Sequence, residues 1–418
     1  MIEPLRRRFP SALGVFALLA LAAATCTAGS EPDQPPTTSS TQPPALDGSP
    51  TDPEPAAATQ GIFEDSVLFG QSAAFSGPAQ ELGRNMRLGI EAAFAEANRN
   101  GGVHGRRLDL ASLDDAYEPE AAVTNTQQLI ETDGVFALIG EVGTPTSRSA
   151  TPVAAAAEVP FIAPFTGAEF LRDDDWRNII NLRASYYQET EEIIARLIAD
   201  QGSDRIAVMF QDDSFGRAGY RGVLQALDRR GMEPVAIGLY PRNTTAVRTA
   251  LLDLQLGDPD AVVLVGAYQP VAALIAWARF VGEDWTFVTI SFVGANALAE
   301  ELGPFGDGVF VTQVVPFPDD DTLPVVASYL AALEAYDPGA EPGFVSLEGY
   351  FAGRMAIVGL ERCGRDLSRT CFLNELLRGE PVDIDGFELR FGDGDNQGSD
   401  AVFLTVIRDG RYVATASM

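Results

Sequence analysis

Hydroxyl side chains follow two successive apolar segments of this sequence. Thr144 opens a hydroxyl-rich stretch, TPTS, soon after VFALIG (135–140), and Thr166 follows VPFIAP (159–164). If both segments are parallel strands, the hydroxyls lie at the carboxyl edge of the sheet, where open α/β sheets bind ligands. Free backbone N–H groups at the start of the intervening helix suit a small anion such as a carboxylate. Capping of that helix by Thr144 and closure of a turn by Thr166 are the alternatives to ligand contact.

No nucleophile with its own base accompanies these hydroxyls. His104 is the single histidine of the sequence, so a Ser-His or Cys-His arrangement is not expected. The cysteines are Cys26, Cys363 and Cys371, and the last two are eight positions apart. In an oxidising compartment such a pair favours a local disulfide over a metal site. We therefore predict binding without catalysis, with no cofactor and no metal.

The composition is strongly acidic. Among 418 residues, 59 Asp and Glu stand against 29 Lys and Arg, which gives a formal net charge of -30. Binding to nucleic acid requires Lys and Arg on one face to neutralise phosphates, so no nucleic-acid partner is expected. The hydrophobic content of 46% is normal for a globular protein, so most of the chain should fold.

The amino terminus is predicted to direct export. Residues 1–25 carry three arginines at positions 6–8 and then an apolar stretch at 9–24, which is typical of a signal peptide. Cys26 follows LAAAT and resembles the lipidated cysteine of lipoproteins, although Thr25 replaces the usual small residue. Ordinary cleavage that releases a soluble protein is the alternative. We favour a lipid anchor, in the periplasm or on the outer face of the cell membrane.

A Pro-, Thr- and Ser-rich segment, residues 26–63, supports the anchor. It contains few apolar residues larger than alanine. Such a segment cannot bury enough surface to fold, so it is predicted to be a disordered tether. Lipid-anchored proteins often carry a tether of this kind, whereas soluble secreted proteins rarely need one.

From residue 65 onward, short apolar runs alternate with amphipathic helical patterns. This alternation predicts a parallel sheet covered by helices on both faces. Strands are predicted at 66–71, 107–113, 135–140, 159–163, 179–182, 206–211, 233–239, 261–265, 287–291, 308–312 and 402–408. Helices are predicted at 80–100, 119–132, 187–201, 217–230, 270–281, 323–335 and 344–362. So many strands favour two α/β lobes over one sheet.

Six motifs occur in an order that is typical of one family. They are FSGPAQELG (75–83), GGVHGRRLDL (101–110), DDAYEPEAAV (114–123), QDDSFGRAG (211–219), SFVGANAL (291–298) and SLEGYFAGR (346–354). With these motifs the chain resembles the extracytoplasmic solute-binding proteins of ABC importers, in the leucine/isoleucine/valine-binding subgroup. The resemblance begins near residue 66 and continues to the carboxyl terminus.

The resemblance implies a type I periplasmic-binding-protein fold. Two Rossmann-like lobes, residues 64–184 plus 317–390 and residues 185–316 plus 391–418, would be joined by three crossovers and close on a small-molecule ligand. The expected partner is an ABC permease in the membrane, and a monomer is expected. A ligand-sensing subunit that signals to a membrane regulator is the alternative function.

The resemblance also implies which side chains meet the ligand. In the family, the carboxylate of an amino acid is held at the turn after one strand and at the turn one strand later. These places fall on Thr144 and on Phe165 with Thr166. Further contacts are expected at Ser76, Tyr187, Phe215, Tyr268, Phe292 and Phe344. Phe215, Tyr268 and Phe292 could instead be ordinary core side chains.

Two positions depart from the amino-acid binders of the family. Phe215 stands where they carry a tyrosine, and Phe292 stands where they carry the glutamate that pairs with the ammonium of the ligand. An unpaired buried charge is costly, so the sequence favours a ligand without a free amine, such as an aromatic or aliphatic carboxylate. Alternatively, Glu348 or Asp213 takes over the amine.

Overall fold

Five parallel strands form the first sheet of the computed structural model, which describes residues 59–173, 176–392 and 394–418. In spatial order they are β2 (Arg107–Asp114), β1 (Ser66–Ala73), β3 (Ala137–Ile139), β4 (Phe161–Ile162) and β5 (Ile179–Ile180). The last three are buried along their whole length. Burial of both faces by helices accounts for apolar runs without alternation, and the predicted α/β class is confirmed.

The second sheet combines parallel strands with an antiparallel edge. In spatial order it contains β14 (Arg411–Ala414), β13 (Phe403–Arg408), β10 (Phe310–Gln313), β9 (Thr286–Thr289), β8 (Ala261–Val265), β6 (Ile206–Gln211) and β7 (Ile237–Tyr240). Strands β6 to β10 are mutually parallel, whereas β13 runs antiparallel to both of its neighbours. We call each sheet with its helices a lobe; the residue limits predicted above for the lobes stay a prediction.

The predicted final strand, 402–408, is not the last one. Strand β14 follows it and pairs Arg411 with Arg408, so the hairpin loop is Asp409-Gly410. Both loop residues have positive φ, 51° and 73°, which is the geometry of a two-residue type I′ turn. Asp-Gly is a strong local signal for such a turn, and the sequence interpretation overlooked it.

Strand β4 is shorter than its apolar run because prolines bracket it. The run was predicted as a strand over 159–163, but only Phe161–Ile162 is in the sheet ladder. Pro160 and Pro164 have no N–H to donate to a neighbouring strand. Ala163 still donates its N–H to Ile180, and its φ of 48° then turns the chain. Phe165 returns to the sheet edge through a single parallel bridge with Val142, directly before Thr166.

The helices match most predicted segments within a few residues. They are α1 (Gln80–Arg99), α2 (Pro119–Gln127), α3 (Thr144–Ala156), α4 (Tyr186–Gln201), α5 (Ser214–Asp228), α6 (Arg248–Leu256), α7 (Tyr268–Val281), α8 (Ala295–Leu302), α9 (Pro324–Tyr336), α10 (Phe344–Cys363) and α11 (Arg369–Leu377). The predicted helix 119–132 ends as an α-helix at Gln127 and continues as a π-helical turn, Gln128–Thr132. The short helices α6, α8 and α11 and the hairpin of β11 (Val382–Ile384) and β12 (Phe387–Leu389) were not predicted.

Glycines allow α10 to pack directly against α1. A Cβ atom on Gly89 of α1 would lie 1.9 Å from the carbonyl oxygen of Ser346. A Cβ atom on Gly349 of α10 would lie 2.3 Å from the carbonyl oxygen of Met86. Only glycine allows the two backbones to approach this closely. The contact fixes the amino-terminal half of α10 to the first lobe.

The other end of α10 is joined to α11 by a disulfide. Cys363, the last residue of α10, is bonded to Cys371, and their Cα atoms are 5.9 Å apart. The hydroxyl of Ser368 accepts the backbone N–H of Cys371 and caps α11. The bond closes a short loop between the two helices.

The predictions for the amino terminus fall mostly outside the described residues. The signal peptide, the lipidated Cys26 and the tether up to residue 58 all lie there. Within the described part of the chain, no helix combines the length and apolar character needed to cross a membrane.

Candidate functional site

The hydroxyls of the two strand ends meet at the carboxyl edge of the first sheet. Thr144 Oγ1 and Thr166 Oγ1 are 2.7 Å apart, and Thr166 Oγ1 is 3.1 Å from the hydroxyl of Tyr186. All three side chains are buried. Burial raises the pKa of Tyr186 to about 12, so its hydroxyl stays protonated at neutral pH. We call Thr144, Thr166 and Tyr186 the hydroxyl cluster.

Local backbone geometry places Thr144 at the start of α3. The preceding residue, Gly143, has φ 106°, and a Cβ atom there would lie 2.2 Å from the ring of Tyr117, so glycine is required. No side chain caps α3, and the hydroxyl of Thr146 instead donates to the carbonyl of Val142 at 2.5 Å. The alternative in which Thr144 caps its own helix is therefore not what the structure shows.

Tyr186 is positioned by a capping box at the start of α4. The hydroxyl of Ser185 accepts the N–H of Gln188 at 3.3 Å, and the side chain of Gln188 accepts the N–H of Ser185 at 2.7 Å. This reciprocal pair satisfies two backbone donors and fixes the first turn of the helix. The Tyr186 ring is thereby directed at Thr166.

Four aromatic side chains face one another beside the hydroxyl cluster. The ring of Phe292 lies 5.5 Å from Phe165, 4.4 Å from Phe215 and 6.1 Å from Tyr117, measured between centroids. Tyr117 and Phe165 belong to the first lobe, whereas Phe215 and Phe292 belong to the second. We call these four residues the aromatic wall. Sequence reasoning did not propose Tyr117 as a site residue, because no local pattern shows that its ring turns toward the second lobe.

The remaining predicted ligand contacts lie elsewhere in the described residues. Ser76 is exposed and lies next to Asp114, and Tyr268 is buried and lies next to Glu81 at the start of α1. Phe344 packs its ring on those of Phe317 and Tyr412, and half-buried Tyr187 lines a polar cavity of about 340 Å³. None of the four has a hydrogen bond or a ring contact with the hydroxyl cluster. Their contact with a ligand stays a prediction.

A buried arginine that sequence reasoning missed lies against Phe165. The guanidinium of Arg183 is 4.7 Å from the centre of the Phe165 ring and is fully buried. Its Nε lies 3.6 Å from Glu348 Oε1, and its Nη2 lies 3.6 Å from Glu189 Oε1. Nη2 also donates to the hydroxyl of Ser291. We call Arg183, Glu189 and Glu348 the charge triad.

The two acids of the charge triad have different surroundings. Glu189 accepts the N–H of Ser291 at 2.8 Å and the hydroxyls of Ser291 and Thr312 at 3.0 and 2.6 Å. Glu348 has its contact with Arg183 and no hydrogen bond within the described chain. Burial raises the pKa of Glu348 to about 7, although Arg183 opposes the shift.

Asp213, the second acid considered for a ligand amine, already accepts hydrogen bonds from the backbone of the helix that it caps. Its carboxylate accepts the N–H groups of Phe215 and Gly216 at 2.9 and 3.3 Å, which caps α5 and places Phe215 in the aromatic wall. It also accepts a hydrogen bond from Gln211 at 2.6 Å and lies 3.4 Å from Arg242. These contacts leave little capacity for a ligand.

A second pair of buried acids lies in the first lobe, close behind the turn that leads to α3. Ser72 donates its backbone N–H to Glu141 at 3.1 Å and its hydroxyl to Asp115 at 2.8 Å. Burial raises the pKa of Asp115 to about 7 and holds that of Glu141 well above its usual range, with repulsion from Asp115 adding to the effect on Glu141.

Comparison with known proteins agrees with this architecture. A possible leucine/isoleucine/valine-binding protein from Rhodopirellula baltica is 39% identical, with a TM-score of 0.81, and the match covers 87% of this chain and 98% of that one. A substrate-binding periplasmic protein from Ralstonia solanacearum is 27% identical, with a TM-score of 0.79 and coverage of 83% and 99%. The type I periplasmic-binding-protein fold is thus confirmed.

Relatives found by sequence agree with this fold assignment over a shorter part of the chain. The Leu/Ile/Val-binding protein homolog 7 of Brucella abortus is 29% identical over 218 residues, which are 50% of this chain and 54% of that protein. The chain thus spans about half the length of this relative. Residues 66–411 match the family described as Periplasmic binding protein. Because this match covers most of the chain, the protein belongs to the periplasmic binding protein family.

Proposed function

We propose that this protein captures a small organic solute with a carboxylate group between its two lobes and delivers it to an ABC permease. The observation that carries the proposal is the 2.7 Å contact between Thr144 and Thr166 at the carboxyl edge of the first sheet, next to Phe292 of the second lobe. Each hydroxyl has one O–H, so both can donate to an incoming carboxylate once they give up the hydrogen bond to each other.

The aromatic wall suits the apolar part of such a solute. Its four rings come from both lobes, so a ligand seated among them would be enclosed by both. Enclosed ligand sites are mostly apolar and use a few polar groups for orientation. Opening and closing of the lobes about the crossovers would admit and hold the ligand.

Export and anchoring complete the proposal. The signal peptide would carry the protein out of the cytoplasm, and a lipid on Cys26 with the tether behind it would hold the folded part near the permease. The protein would bind its solute without altering it, because a hydroxyl needs an adjacent base to act as a nucleophile. Within the described residues, Thr144 and Thr166 bond to each other, and Thr166 also bonds to the hydroxyl of Tyr186 and to the N–H of Ala168, none of which is a base.

A thermal-shift screen with the exported, folded protein tests this proposal. Ligands of the native state raise its melting temperature, so the screen would compare amino acids, aromatic acids, short fatty acids and the corresponding amides. We expect carboxylates to raise it and amides to leave it unchanged. Thr144→Val should reduce the shift, whereas Thr124→Val, on the exposed side of α2, should not. A carboxylate series without any stabilising member would refute the proposed function.

A further inference from the structure

Helices α6 and α7 of the second lobe leave a group of large apolar side chains in solvent. Leu256 on α6 and Phe280 on α7 are 87% and 75% exposed, the largest fractions among the large apolar side chains of the described chain. Leu252, Trp277 and Val281 are exposed on the same two helices. We call these five residues the apolar face. A contiguous apolar patch on a soluble protein marks a surface that binds another molecule.

Contacts between the two helices bring the apolar face together. The guanidinium of Arg248 on α6 lies 4.3 Å from the centre of the Trp277 ring on α7. Near the end of α6, Gln255 donates to Glu283, just beyond the end of α7, at 2.6 Å. The two helices therefore run side by side in the same direction, and the exposed apolar side chains of both lie level with one another between these contacts. The face is one continuous surface.

The solvent side of α7 is uncharged. Its exposed positions are Trp277, Phe280 and Val281. The helix contains one charged residue, Arg279, which is half-buried and donates to two backbone carbonyls of the same lobe. A helix on the surface of a soluble protein normally turns charged and polar side chains toward water. In a chain with a net charge of -30, an uncharged exposed side of a helix therefore indicates a surface that another molecule covers.

The exposed charges beside the apolar face match those of a second copy. Arg248 and Asp253 both lie on α6, and within the described chain neither forms a hydrogen bond or an ion pair. In an association with twofold symmetry, each copy offers the same surface to the other. An axis that crosses α6 midway between these two residues, close to Leu252, sets the two α6 helices antiparallel and places Arg248 of each copy opposite Asp253 of the other. The apolar face thus carries its own charge complement.

Two other molecules complement the apolar face less well. The Pro-, Thr- and Ser-rich segment at 26–63 contains few apolar residues larger than alanine, so it offers no matching apolar surface. A lipid surface attracts apolar helix faces that are flanked by Lys and Arg, whereas here Arg248 is matched by Asp253. Repulsion between two acidic copies is screened beyond about 10 Å in ordinary buffers, so the balanced charges beside the face decide. They favour a second copy over a membrane.

We propose that two copies of this protein associate through the apolar face, with α6 and α7 of one copy packed against α6 and α7 of the other about a twofold axis. The proposal replaces the monomer expected from the family resemblance. It goes beyond solute capture, since it does not depend on which ligand is bound. Both helices belong to the second lobe, so the first lobe of each copy stays outside the contact and is free to open and close.

Sedimentation equilibrium of the exported, folded protein tests the association. We expect the molar mass to rise from that of one chain to that of two as the protein concentration increases. Phe280→Ser should raise the dissociation constant of the dimer about 10-fold or more, the effect of removing a central aromatic anchor. Phe63→Ser, at an exposed position of the first lobe, is the matched control and should leave the constant unchanged.

Charge reversal tests the twofold arrangement. Arg248→Glu sets two acids opposite each other and Asp253→Arg sets two arginines opposite each other, so each single variant should weaken the dimer several-fold. The double variant restores opposite charges on both sides of the axis and should recover most of the wild-type affinity. Loss of the contact between Arg248 and Trp277 does not produce this recovery, because the double variant lacks that contact as well.

Each remaining outcome contradicts the proposal. A single-chain mass at every concentration would overturn it and leave the proposed function standing. A monomer that co-sediments with vesicles of phosphatidylcholine and phosphatidylglycerol, and loses this binding in Phe280→Ser, would assign the face to lipid instead. A dimer that Phe280→Ser leaves intact would place the contact elsewhere, and a double variant as weak as the single ones would disprove the twofold pairing. If Phe280→Ser does not fold, Leu256→Ser on α6 gives the same test.

Discussion

Arg242 and Glu118 form an ion pair between the two lobes. Arg242 follows β7 of the second sheet, Glu118 follows β2 of the first, and Nη2 and Oε2 are 2.7 Å apart. Asn243 adds hydrogen bonds to Glu118 Oε1 at 2.7 Å and to the carbonyl of Ala116 at 3.0 Å. The two lobes are thus in polar contact at the edge of the proposed cleft.

This contact predicts that Glu118 affects the affinity for every ligand equally. If binding requires closure, Glu118→Gln should weaken it by about 2- to 5-fold, because a partly exposed ion pair contributes up to about 1 kcal/mol. The preference among ligands should stay unchanged, since Glu118 lies outside the hydroxyl cluster. Calorimetry with two ligands measures this, and small-angle scattering reports the more open form.

Glu120→Gln is the matched control for Glu118→Gln. Glu120 lies two residues further on, is exposed and occupies the first turn of α2. The ligand affinity of the Glu120→Gln variant should equal that of the wild type. A change in ligand preference in Glu118→Gln would contradict the assignment to closure.

The hydroxyl cluster predicts coupled losses of carboxylate affinity. Thr144→Val and Thr166→Val should each weaken binding by about 1–3 kcal/mol, the cost of a lost hydrogen bond to a buried charged group. Because their oxygens are 2.7 Å apart, the double variant should lose less than the sum. A double-mutant cycle by calorimetry measures the coupling. Strict additivity would mean that the two hydroxyls do not serve one ligand group.

Much of the fold was predictable because it depends on local patterns. Apolar runs and glycine caps placed most strands and helices within a few residues, and the two strand ends placed Thr144 beside Thr166. The charge triad was not predictable, because Glu348 is distant in the chain from Arg183 and Glu189. Tyr117 was missed for the same reason, since its contact with Phe292 depends on how the lobes meet.

The glycine contact between α1 and α10 predicts a stability defect. Gly89→Ala puts a methyl group 1.9 Å from the carbonyl oxygen of Ser346, so the helices must separate. We expect the free energy of unfolding to fall by about 1–3 kcal/mol, as in other overpacked cores. Gly339→Ala is the control, because its nearest neighbour, Asp337 Oδ1, is 3.6 Å away. Urea unfolding of both variants measures the difference, and equal stabilities would disprove the close packing.

Because Asp115 is buried, we expect the free energy of unfolding to fall as the pH rises through the weakly acidic range. Burial raises the pKa of Asp115 from 3.8 to about 7. The folded state therefore keeps a proton that the unfolded state loses above pH 4. The stabilisation is fully present below about pH 4 and is lost progressively up to about pH 7, with a total of up to about 4 kcal/mol.

Asp115→Asn should flatten this pH dependence, because the amide does not titrate. Its free energy of unfolding should exceed that of the wild type at pH 8, where the wild-type protein must keep a buried carboxylate ionised. Glu141 and Glu348 also have raised pKa values, so part of the slope should remain in the variant. Urea unfolding at pH 5 and pH 8 measures the effect, with Asp253→Asn at an exposed position of α6 as the control. A slope equal to that of the wild type would place the titrating group elsewhere.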